Sequence, residues 1–394
     1  MTMRVMGLIS GTSIDGIDVA VAELSRHREE IRLTPLGALE VAYPEDLRSA
    51  LLAALPPAPA SAELLTRLDT RVGQAFAEAA RQGLDHAGPA ALVASLGQTI
   101  YHWVEDGRAL GTLQLGQPAW IAERTGLPVV SDLRARDVAA GGHGAPLAST
   151  LDRLWLRSLA ESDGRPAVAL NIGGIANITV VHPDGTTIAY DTGPGNALLD
   201  LAARRTTGQP SDLDGALAAR GTVREDLLAR LLAEPYYAAE PPKSTGKELF
   251  HAGYLDDLGD PGTEPADLLA TLTALTAHTI ADACLKHGAG TVVASGGGVE
   301  NPALMRALDA RLPGVRLLTS DELGLPRASK EAYLTALLGW LTWHGLPANV
   351  PGATGARGPR LLGSITPGDG PLTLPRPHAG PVTRLRVDRG SPEE

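Results

Sequence analysis

Residues 6–24 read MGLISGTSIDGIDVAVAEL, two apolar runs on either side of the polar turn GTSIDG. This pattern predicts two antiparallel strands joined by a tight loop. Glycines at both ends of the turn let the backbone approach a ligand and present its N–H groups, which suits phosphate oxygens. A carboxylate in such a loop can bind Mg²⁺, usually through water. For this segment taken alone, an ordinary Asp-Gly hairpin without a ligand is the alternative.

The same design returns later in the chain. Residues 167–181, AVALNIGGIANITVV, again place two glycines between apolar strands, and DTGPGN at 191–196 follows a short predicted strand at 187–190. Residues 291–301, TVVASGGGVEN, form a buried type of strand that leads into three glycines. Strand and glycine-loop units repeated in this order predict an internal duplication.

This order of loops resembles the actin, sugar kinase and Hsp70 superfamily. The resemblance implies an α/β fold with two ribonuclease-H-like domains and an ATP cleft between them. Asp15 and Asp18 would hold Mg²⁺ through water. The residues that the resemblance places at the nucleotide are Gly11, Thr12, Ser13, Ile14, Asp15, Gly16, Gly173, Gly174, Gly296, Gly297, Gly298 and Asn301.

Composition limits the class of protein. The 394 residues are 44% hydrophobic and 20% charged, which is enough for two domains with full cores. The net charge of −11 argues against nucleic acid as a partner, since phosphate-backbone binders concentrate Lys and Arg. Cys284 is the only cysteine, which excludes an intramolecular disulfide. We expect no transmembrane helix, no signal peptide and no membrane partner, and therefore a cytoplasmic protein.

Turn and breaker signals divide the chain into four parts. We predict a first domain at residues 1–165, a second at 166–329, a returning helix with a C-terminal segment at 330–368, and a loosely ordered tail at 369–394. The tail is rich in Pro, Gly and Arg and shows little periodicity. Apolar residues at three- and four-residue steps and related patterns predict helices at 62–84, 213–232, 266–287, 302–311 and 330–342.

The first domain carries polar stretches unlike a core. Gln98 lies in one, and Arg134, Asp137 and His143 lie in a run that starts directly after an apolar strand, where α/β proteins place ligand sites. Arg134 can bind a carboxylate in bidentate fashion, and the other polar groups can bind sugar hydroxyls or an acetamido group. A solvated loop with local ion pairs is the alternative. We treat His102 as incidental.

Asp191 is the acid on which the chemistry depends. It stands at a predicted strand end before Thr-Gly-Pro-Gly, a loop that can bring its carboxylate against a ligand. In a phosphotransferase it would be the general base that activates the attacking oxygen. A helix N-cap or a metal-side ligand is the alternative.

Several segments resemble the anhydro-N-acetylmuramic acid kinase family in particular. The resemblance implies that ATP and water convert 1,6-anhydro-N-acetylmuramic acid to N-acetylmuramic acid 6-phosphate, in the recycling of peptidoglycan. It assigns Asp191 as the base, adds Glu331 to the sugar residues, and implies a homodimer as the assembly to test for. The matching segments are GLISGTSIDGIDVA at 7–20, GQT at 97–99, residues 116–147, NIGGIANIT at 171–179, DTGPGN at 191–196, KSTGKELF at 243–250, SGGGVENPALM at 295–305 and KEAYLTALLG at 330–339.

The sequence departs from the family pattern at four positions, all in the predicted sugar-binding domain: Leu96, Gln117, Leu133 and His143. These departures bear on which sugar is bound, whereas the ATP loops are intact. Two alternatives follow. One is a kinase of the same fold that acts on a different sugar or a small carboxylate, and the other is a non-catalytic, nucleotide-gated actin-like protein.

Overall fold

The structure is a computed structural model that describes residues 2–11, 13–246, 248–257, 263–376 and 380–388. The chain forms two compact units, one containing Met1–Trp155 and Gly324–Glu394 and the other Leu156–Leu323. These limits differ from the predicted boundaries. The first change of unit falls inside a continuous helix, Ala148–Asp163, and the segment from Gly324 onward belongs to the first unit.

The strands are numbered along the chain. They are β1 Thr2–Ser10, β2 Gly16–His27, β3 Glu30–Ala42, β4 Leu92–Glu105, β5 Arg108–Leu115, β6 Val129–Ser131, β7 Ala167–Ile172, β8 Ile175–Val181, β9 Thr187–Pro194, β10 Thr291–Ser295, β11 Arg316–Thr319, β12 Ser364–Thr366 and β13 Arg384–Val387.

The α-helices are numbered in the same way, and short 3₁₀ turns stand between some of them. They are α1 Glu45–Ala53, α2 Ala62–Ala87, α3 Pro118–Thr125, α4 Ala135–Ala139, α5 Ala148–Asp163, α6 Ala197–Thr207, α7 Glu225–Leu232, α8 Pro235–Ala238, α9 Ala252–Asp257, α10 Pro265–Lys286, α11 Pro302–Ala310, α12 Lys330–Trp343 and α13 Pro351–Thr354.

The sheet of the first unit is built on a hairpin meander. Strand β1 pairs antiparallel with β2, and β2 with β3, while β4 lies parallel to β1 on its other side and β6 parallel to β4. The order is β12-β6-β4-β1-β2-β3-β13, with β5 paired to β4. The hairpin predicted from residues 6–24 is thus the centre of this sheet.

The second unit repeats this pattern. Its sheet runs β11-β10-β7-β8-β9, with β7 antiparallel to β8, β8 antiparallel to β9, and β10 and β11 added in parallel on the other side. In both units three antiparallel strands are followed by two parallel ones in the same order. This confirms the predicted fold class of two duplicated, ribonuclease-H-like α/β domains.

Helix α12 packs closely against the sheet of the first unit. A Cβ atom at Gly7 of β1 would overlap the carbonyl oxygen of Ala332, and one at Gly339 would overlap the side chain of Ala94 on β4. Glycine therefore allows helix and sheet backbones to approach at both places. The position of α12 is fixed against β1 and β4 by these two contacts.

Helix α10 has the length and composition expected of a membrane-spanning helix. Its most apolar window has a mean hydropathy of 1.4, and 78% of that window is buried inside the protein. Leu269, Leu272, Leu275 and Ile280 all lie in the core of the second unit. A helix in the core of a folded protein meets the same criteria of length and apolar composition.

Two predicted elements are wrong in part. The single helix predicted at 213–232 is a pair of 3₁₀ turns followed by α7, because Asp212 accepts hydrogen bonds from the N–H groups of Leu217 and Ala218 and holds a turn there. The predicted loose tail contains β13, which pairs in parallel with β3 and buries Leu385. Residues 377–379 and 389–394 of that tail lie outside the described residues.

Candidate active site

The first hairpin loop is tied down at both ends. The N–H of Ile14 donates to the carbonyl of Gly11 at 3.2 Å, and Ile14, with φ of 56°, buries its side chain fully. Gly16 begins β2, and its carbonyl accepts a 2.8 Å bond from the Ser10 hydroxyl. Ser13 at the loop tip is exposed, whereas Thr12 lies outside the described residues. The described residues of the loop, Gly11 and 13–16, thus form a fixed turn with Ser13 exposed.

The two predicted metal-side carboxylates have different surroundings. Asp15 is exposed and forms an ion pair with Arg48 at 2.9 Å. Asp18 lies on β2, where burial and the charges of Glu40 and Glu331 raise its pKa to about 6. In the described part of the chain, no three His, Cys, Asp or Glu side chains are arranged to hold a metal ion. A Mg²⁺ ion here would therefore need nucleotide phosphates and water as further ligands, and it would relieve the excess negative charge at Asp18.

The second hairpin loop is connected to the start of α6. The N–H of Asn196 donates to the carbonyl of Gly173 at 2.8 Å, and the N–H groups of Gly195 and Ala197 donate to the carbonyl of Gly174 at 2.9 Å. A Cβ at Gly195 would overlap the Gly173 carbonyl. The loop of DTGPGN and the hairpin loop therefore form one hydrogen-bonded unit.

The third glycine loop lies against the end of β7. Gly296 has φ of 84°, and a Cβ there would lie 2.5 Å from the Asn171 Oδ1 atom, while one at Gly298 would overlap the side chain of Ile172. Strands β7 and β10 are parallel neighbours, so their carboxyl ends bring residues 173–174 and 296–298 together. This adjacency within the second unit is what a phosphate cradle made of backbone requires.

Asn301, a predicted nucleotide residue, has a local structural role. It is the N-cap of α11, and its Oδ1 accepts from the N–H groups of Ala303 and Leu304 at 3.0 and 3.1 Å. A Cβ at Gly215 would overlap that same oxygen. Its acceptor is therefore used by the helix rather than by a ligand.

Asp191 lies inside strand β9, which runs on to Pro194 instead of ending at Tyr190 as the sequence suggests. Its Oδ2 accepts a 3.0 Å hydrogen bond from the N–H of Thr245, and its carbonyl accepts a 2.7 Å bond from the hydroxyl of Tyr236. Burial raises the pKa of the carboxyl, the Thr245 bond lowers it, and the charge of Glu248 raises it further. A carboxylate with a raised pKa is a stronger base than an exposed one.

The segment that holds Asp191 was not among the predicted site residues. Residues 243–250 supply Thr245 and Glu248, and Lys243 donates to the carbonyls of Tyr236 and Tyr237 at 3.0 and 3.1 Å. Lys247 lies outside the described residues. The signal in the sequence is KSTGKELF itself, a polar segment between prolines and an apolar helix with no periodicity to explain it.

Asp137 accepts hydrogen bonds from the protein itself on both carboxylate oxygens. It is fully buried; its Oδ1 accepts from Asn349 at 2.7 Å and from the Thr354 hydroxyl at 2.8 Å, and its Oδ2 accepts from the N–H of Gly144 at 2.8 Å. A Cβ at Gly142 would overlap Oδ2. The carboxylate therefore organises the loop 141–144, so the structure favours positioning over direct sugar binding.

Gln98 is also buried. Its Nε2 donates to the carbonyl of Gly11 at 3.2 Å and to that of Thr99 at 3.1 Å, and its Oε1 accepts from Tyr43 at 3.4 Å. Gln98 thus braces the first hairpin loop. By contrast, His143 is exposed on the loop that Asp137 organises, and its N–H is fixed by the Thr354 carbonyl at 2.8 Å.

In the first unit the charge of Glu331 acts on Arg134. Arg134 is half-buried and donates from Nη1 to the carbonyl of Gly144 at 2.8 Å; burial lowers its pKa and the charge of Glu331 raises it. Glu331 is exposed at the start of α12. His102 is part of this group, because burial and then the charge of Arg134 lower its pKa. The charge of Glu331 thus acts on Arg134, and the charge of Arg134 acts on His102, which the sequence analysis treats as incidental.

Nearly the whole chain is similar to proteins of one known family. A family model described as anhydro-N-acetylmuramic acid kinase matches residues 3–368. The anhydro-N-acetylmuramic acid kinase of Streptomyces avermitilis is 59% identical over 379 residues, which is 95% of this chain and 97% of that protein. Its counterpart from Streptomyces coelicolor is 54% identical, with 98% and 100% covered.

Among solved structures, component A of (R)-2-hydroxyglutaryl-CoA dehydratase from Acidaminococcus fermentans matches with a TM-score of 0.42 and 16% identity, over 85% of this chain and 96% of that chain. At this identity, the activity of that protein says nothing about the activity of this chain. The family model and the Streptomyces relatives are sufficient by themselves. The chain belongs to the anhydro-N-acetylmuramic acid kinase family.

Proposed function

We propose that this protein opens 1,6-anhydro-N-acetylmuramic acid with water and transfers the γ-phosphoryl group of ATP to O6, giving N-acetylmuramic acid 6-phosphate and ADP. Family membership supports the substrate. The observation that carries the chemistry is Asp191, a carboxylate of raised pKa on β9 whose loop is hydrogen-bonded to the glycine hairpin 173–174.

Asp191 is the general base in this proposal. It takes a proton from the attacking water, whose oxygen forms a bond to the anomeric carbon. The bond from that carbon to O6 breaks, and its electron pair stays on O6. O6 then attacks the γ-phosphorus, and the bond to the bridging oxygen of ADP breaks. The single base thus initiates both bond changes.

The glycine loops bind the phosphates of ATP. Loops 11–16, 173–174 and 296–298 present backbone N–H groups, which stabilise charge that develops on the transferring phosphoryl group. Mg²⁺, held through water by Asp15 and Asp18, would supply further charge neutralisation. The sequence prediction that the loops of both units act on one ATP stays a prediction.

Arg134 binds the lactyl carboxylate of the sugar, since its guanidinium is fixed by Gly144 and Lys or a neutral group would lack the bidentate geometry. Glu331 and His143 contact sugar hydroxyls or the acetamido group. Gln98 and Asp137 serve the site indirectly through Gly11 and Gly144. ATP as co-substrate and the single cysteine favour a cytoplasmic enzyme, and a homodimer stays a prediction.

Incubation of 1,6-anhydro-N-acetylmuramic acid with ATP, Mg²⁺ and ¹⁸O-water tests the proposal by mass spectrometry. The expected product carries one phosphate on O6 and one ¹⁸O at the anomeric carbon. Phosphorylation of plain hexosamines in preference to the anhydro-sugar would support the alternative of a different sugar kinase. ATP binding without any sugar product would support a nucleotide-gated protein that is not a kinase.

A further inference from the structure

A buried ion pair joins the two chain segments of the first unit. Lys330, the first residue of α12, contacts Asp152 of α5 with Nζ to Oδ1 at 2.8 Å, and the two side chains are 10% and 4% exposed. The Lys330 ammonium also lies 5.6 Å from the ring centre of Trp155, which is itself buried. The lysine is therefore held on two sides, by a carboxylate and by an aromatic face.

Such a pair is a poor means of stabilising a fold. Removing two charges from water is unfavourable, and apolar residues of similar volume often give equal or greater stability. The other ion pairs described in the first unit, such as Arg71 with Asp46, are largely exposed. What the buried pair provides better than apolar packing is a fixed geometry for the first turn of α12.

That first turn carries Glu331, the residue after Lys330. The next residue, Ala332, touches the backbone of β1 at Gly7, and two residues further along β1 Ile9 is paired with Asp18 of β2. Glu331 thus stands over the strand pair that bears Asp18, and its charge acts on Asp18 and on Arg134 alike. A small rotation of the turn would move this carboxylate relative to both groups.

We propose that the Lys330–Asp152 ion pair is a positioning device that fixes the first turn of α12 and with it the Glu331 carboxylate that contacts the sugar. This inference rests on the proposed function. Lys330 and Asp152 contact no substrate in it and act only through Glu331.

The test replaces the pair by apolar residues of similar size, Lys330→Met with Asp152→Leu, alone and combined with Glu331→Gln. The double variant should fold, because both charges of the pair are replaced together by apolar side chains of similar volume, and its kcat should fall at least about ten-fold while the KM for ATP stays within about two-fold. In the Glu331→Gln variant, the same two substitutions should lower kcat little further. Arg71→Gln, which breaks an exposed pair, is the matched control and should keep wild-type kcat.

A folded double variant with wild-type kcat overturns the proposal, and so does a loss of kcat that is the same size with and without Glu331. If the apolar double variant does not fold, the double variant Lys330→Gln with Asp152→Asn replaces it in the test. A crystal structure of either variant gives a readout independent of turnover: a displaced Glu331 supports the proposal and an unmoved one refutes it. If the wild type fails to convert the sugar, the proposed function falls, while that crystal structure still decides the positioning role.

Discussion

The backbone N–H of Thr245 donates to Oδ2 of Asp191 at 3.0 Å, across 54 positions of sequence. The bond ties the segment 243–250 to strand β9, and Tyr236 adds a second tie through the Asp191 carbonyl. The orientation of the proposed base therefore depends on a segment with no regular secondary structure at the point of contact. Changes in that segment should alter the ionisation of Asp191 as well as its position.

Asp191→Asn removes the basic oxygen but keeps the shape of the side chain. General-base catalysis contributes on the order of 10²–10⁴-fold in rate, so we expect turnover to fall at least that far. ATP affinity, measured by isothermal titration calorimetry, should stay within several-fold. Near-normal turnover would mean that another group is the base, and a joint loss of turnover and ATP binding would make Asp191 a metal-side or structural residue.

Burial is the main cause of the raised pKa of Asp191, and Glu248→Gln removes the negative charge that raises this pKa further. The base must be ionised to act, so activity is lost as the pH falls through its pKa. The variant should keep the base ionised to lower pH and shift the acid limb of the kcat/KM profile downward. Glu225→Gln, an exposed glutamate on α7, is the control and should leave that limb in place. An upward shift or no shift with Glu248→Gln would contradict the assignment of the limb to Asp191.

Gly296→Ala should damage the third glycine loop. The residue has φ of 84°, and its new Cβ would lie 2.5 Å from Asn171 Oδ1. With ψ of 170° the backbone lies in a positive-φ region that essentially only glycine adopts, which costs another residue about 1–3 kcal/mol, and the contact adds to that cost. Gly297→Ala is a matched control for stability, since a Cβ there meets nothing within 4 Å. A melting temperature lowered in the first variant only is expected, and equal melting temperatures would disprove the strain.

Asp18→Asn tests the effect of burial and of the charges of Glu40 and Glu331 on Asp18. Because the pKa of Asp18 is raised to about 6, the folded state favours its protonated form. Its contribution to stability is therefore full below about pH 4 and is lost as the pH rises through about 6. Asn stays neutral, so the variant should be more stable than wild type at pH 7 by about 1–2 kcal/mol after screening by solvent, and equal to it at pH 4.

Unfolding by urea at the two pH values measures this difference. Glu331→Gln should reproduce part of the gain, since it removes one of the charges that raise the Asp18 pKa. A stability difference that is the same at both pH values would show that burial and charge at Asp18 are not its cause.

Arg134→Lys keeps the charge but loses the planar fork that binds a carboxylate in bidentate fashion. We expect the KM for the anhydro-sugar to rise about ten-fold, with the KM for ATP little changed. Arg136→Lys, two residues away and exposed, is the control. If an analogue without the lactyl carboxylate lost as much affinity as the natural sugar on Arg134→Lys, the proposed partner of Arg134 would be wrong.

The sequence predicts both central hairpins because apolar strands flank glycine turns, a local signal. It misses β13, because four residues of RLRV cannot be recognised as a strand without the β3 edge that they pair with. It also ends β9 too early, since pairing with β8 outweighs the glycine and proline at its end. Local propensity is overridden in both cases by a partner distant in sequence.

Site residues can likewise be predicted where the signal is local, and not where their role depends on residues distant in sequence. The glycine loops of the second unit are predictable, because two parallel neighbouring strands bring their carboxyl ends together. The roles of Asp137 and Gln98 are not predictable, since the residue type is the same whether the side chain binds a buried loop or a sugar. Only burial and the three hydrogen bonds to Asp137 distinguish these roles.

The first unit is built from two segments that flank the second unit in sequence, and this sets an order of events during synthesis. A ribosome makes all of Leu156–Leu323 before it reaches α12, β12 or β13, so the second unit can close its own core first. Until then the sheet of the first unit lacks its packing helix over Gly7 and its strand beside β3. Strands β1 to β3 are thus synthesised before the second unit but complete their packing after it, and a stop codon between Leu323 and α12 would leave this sheet exposed to chaperones and proteases.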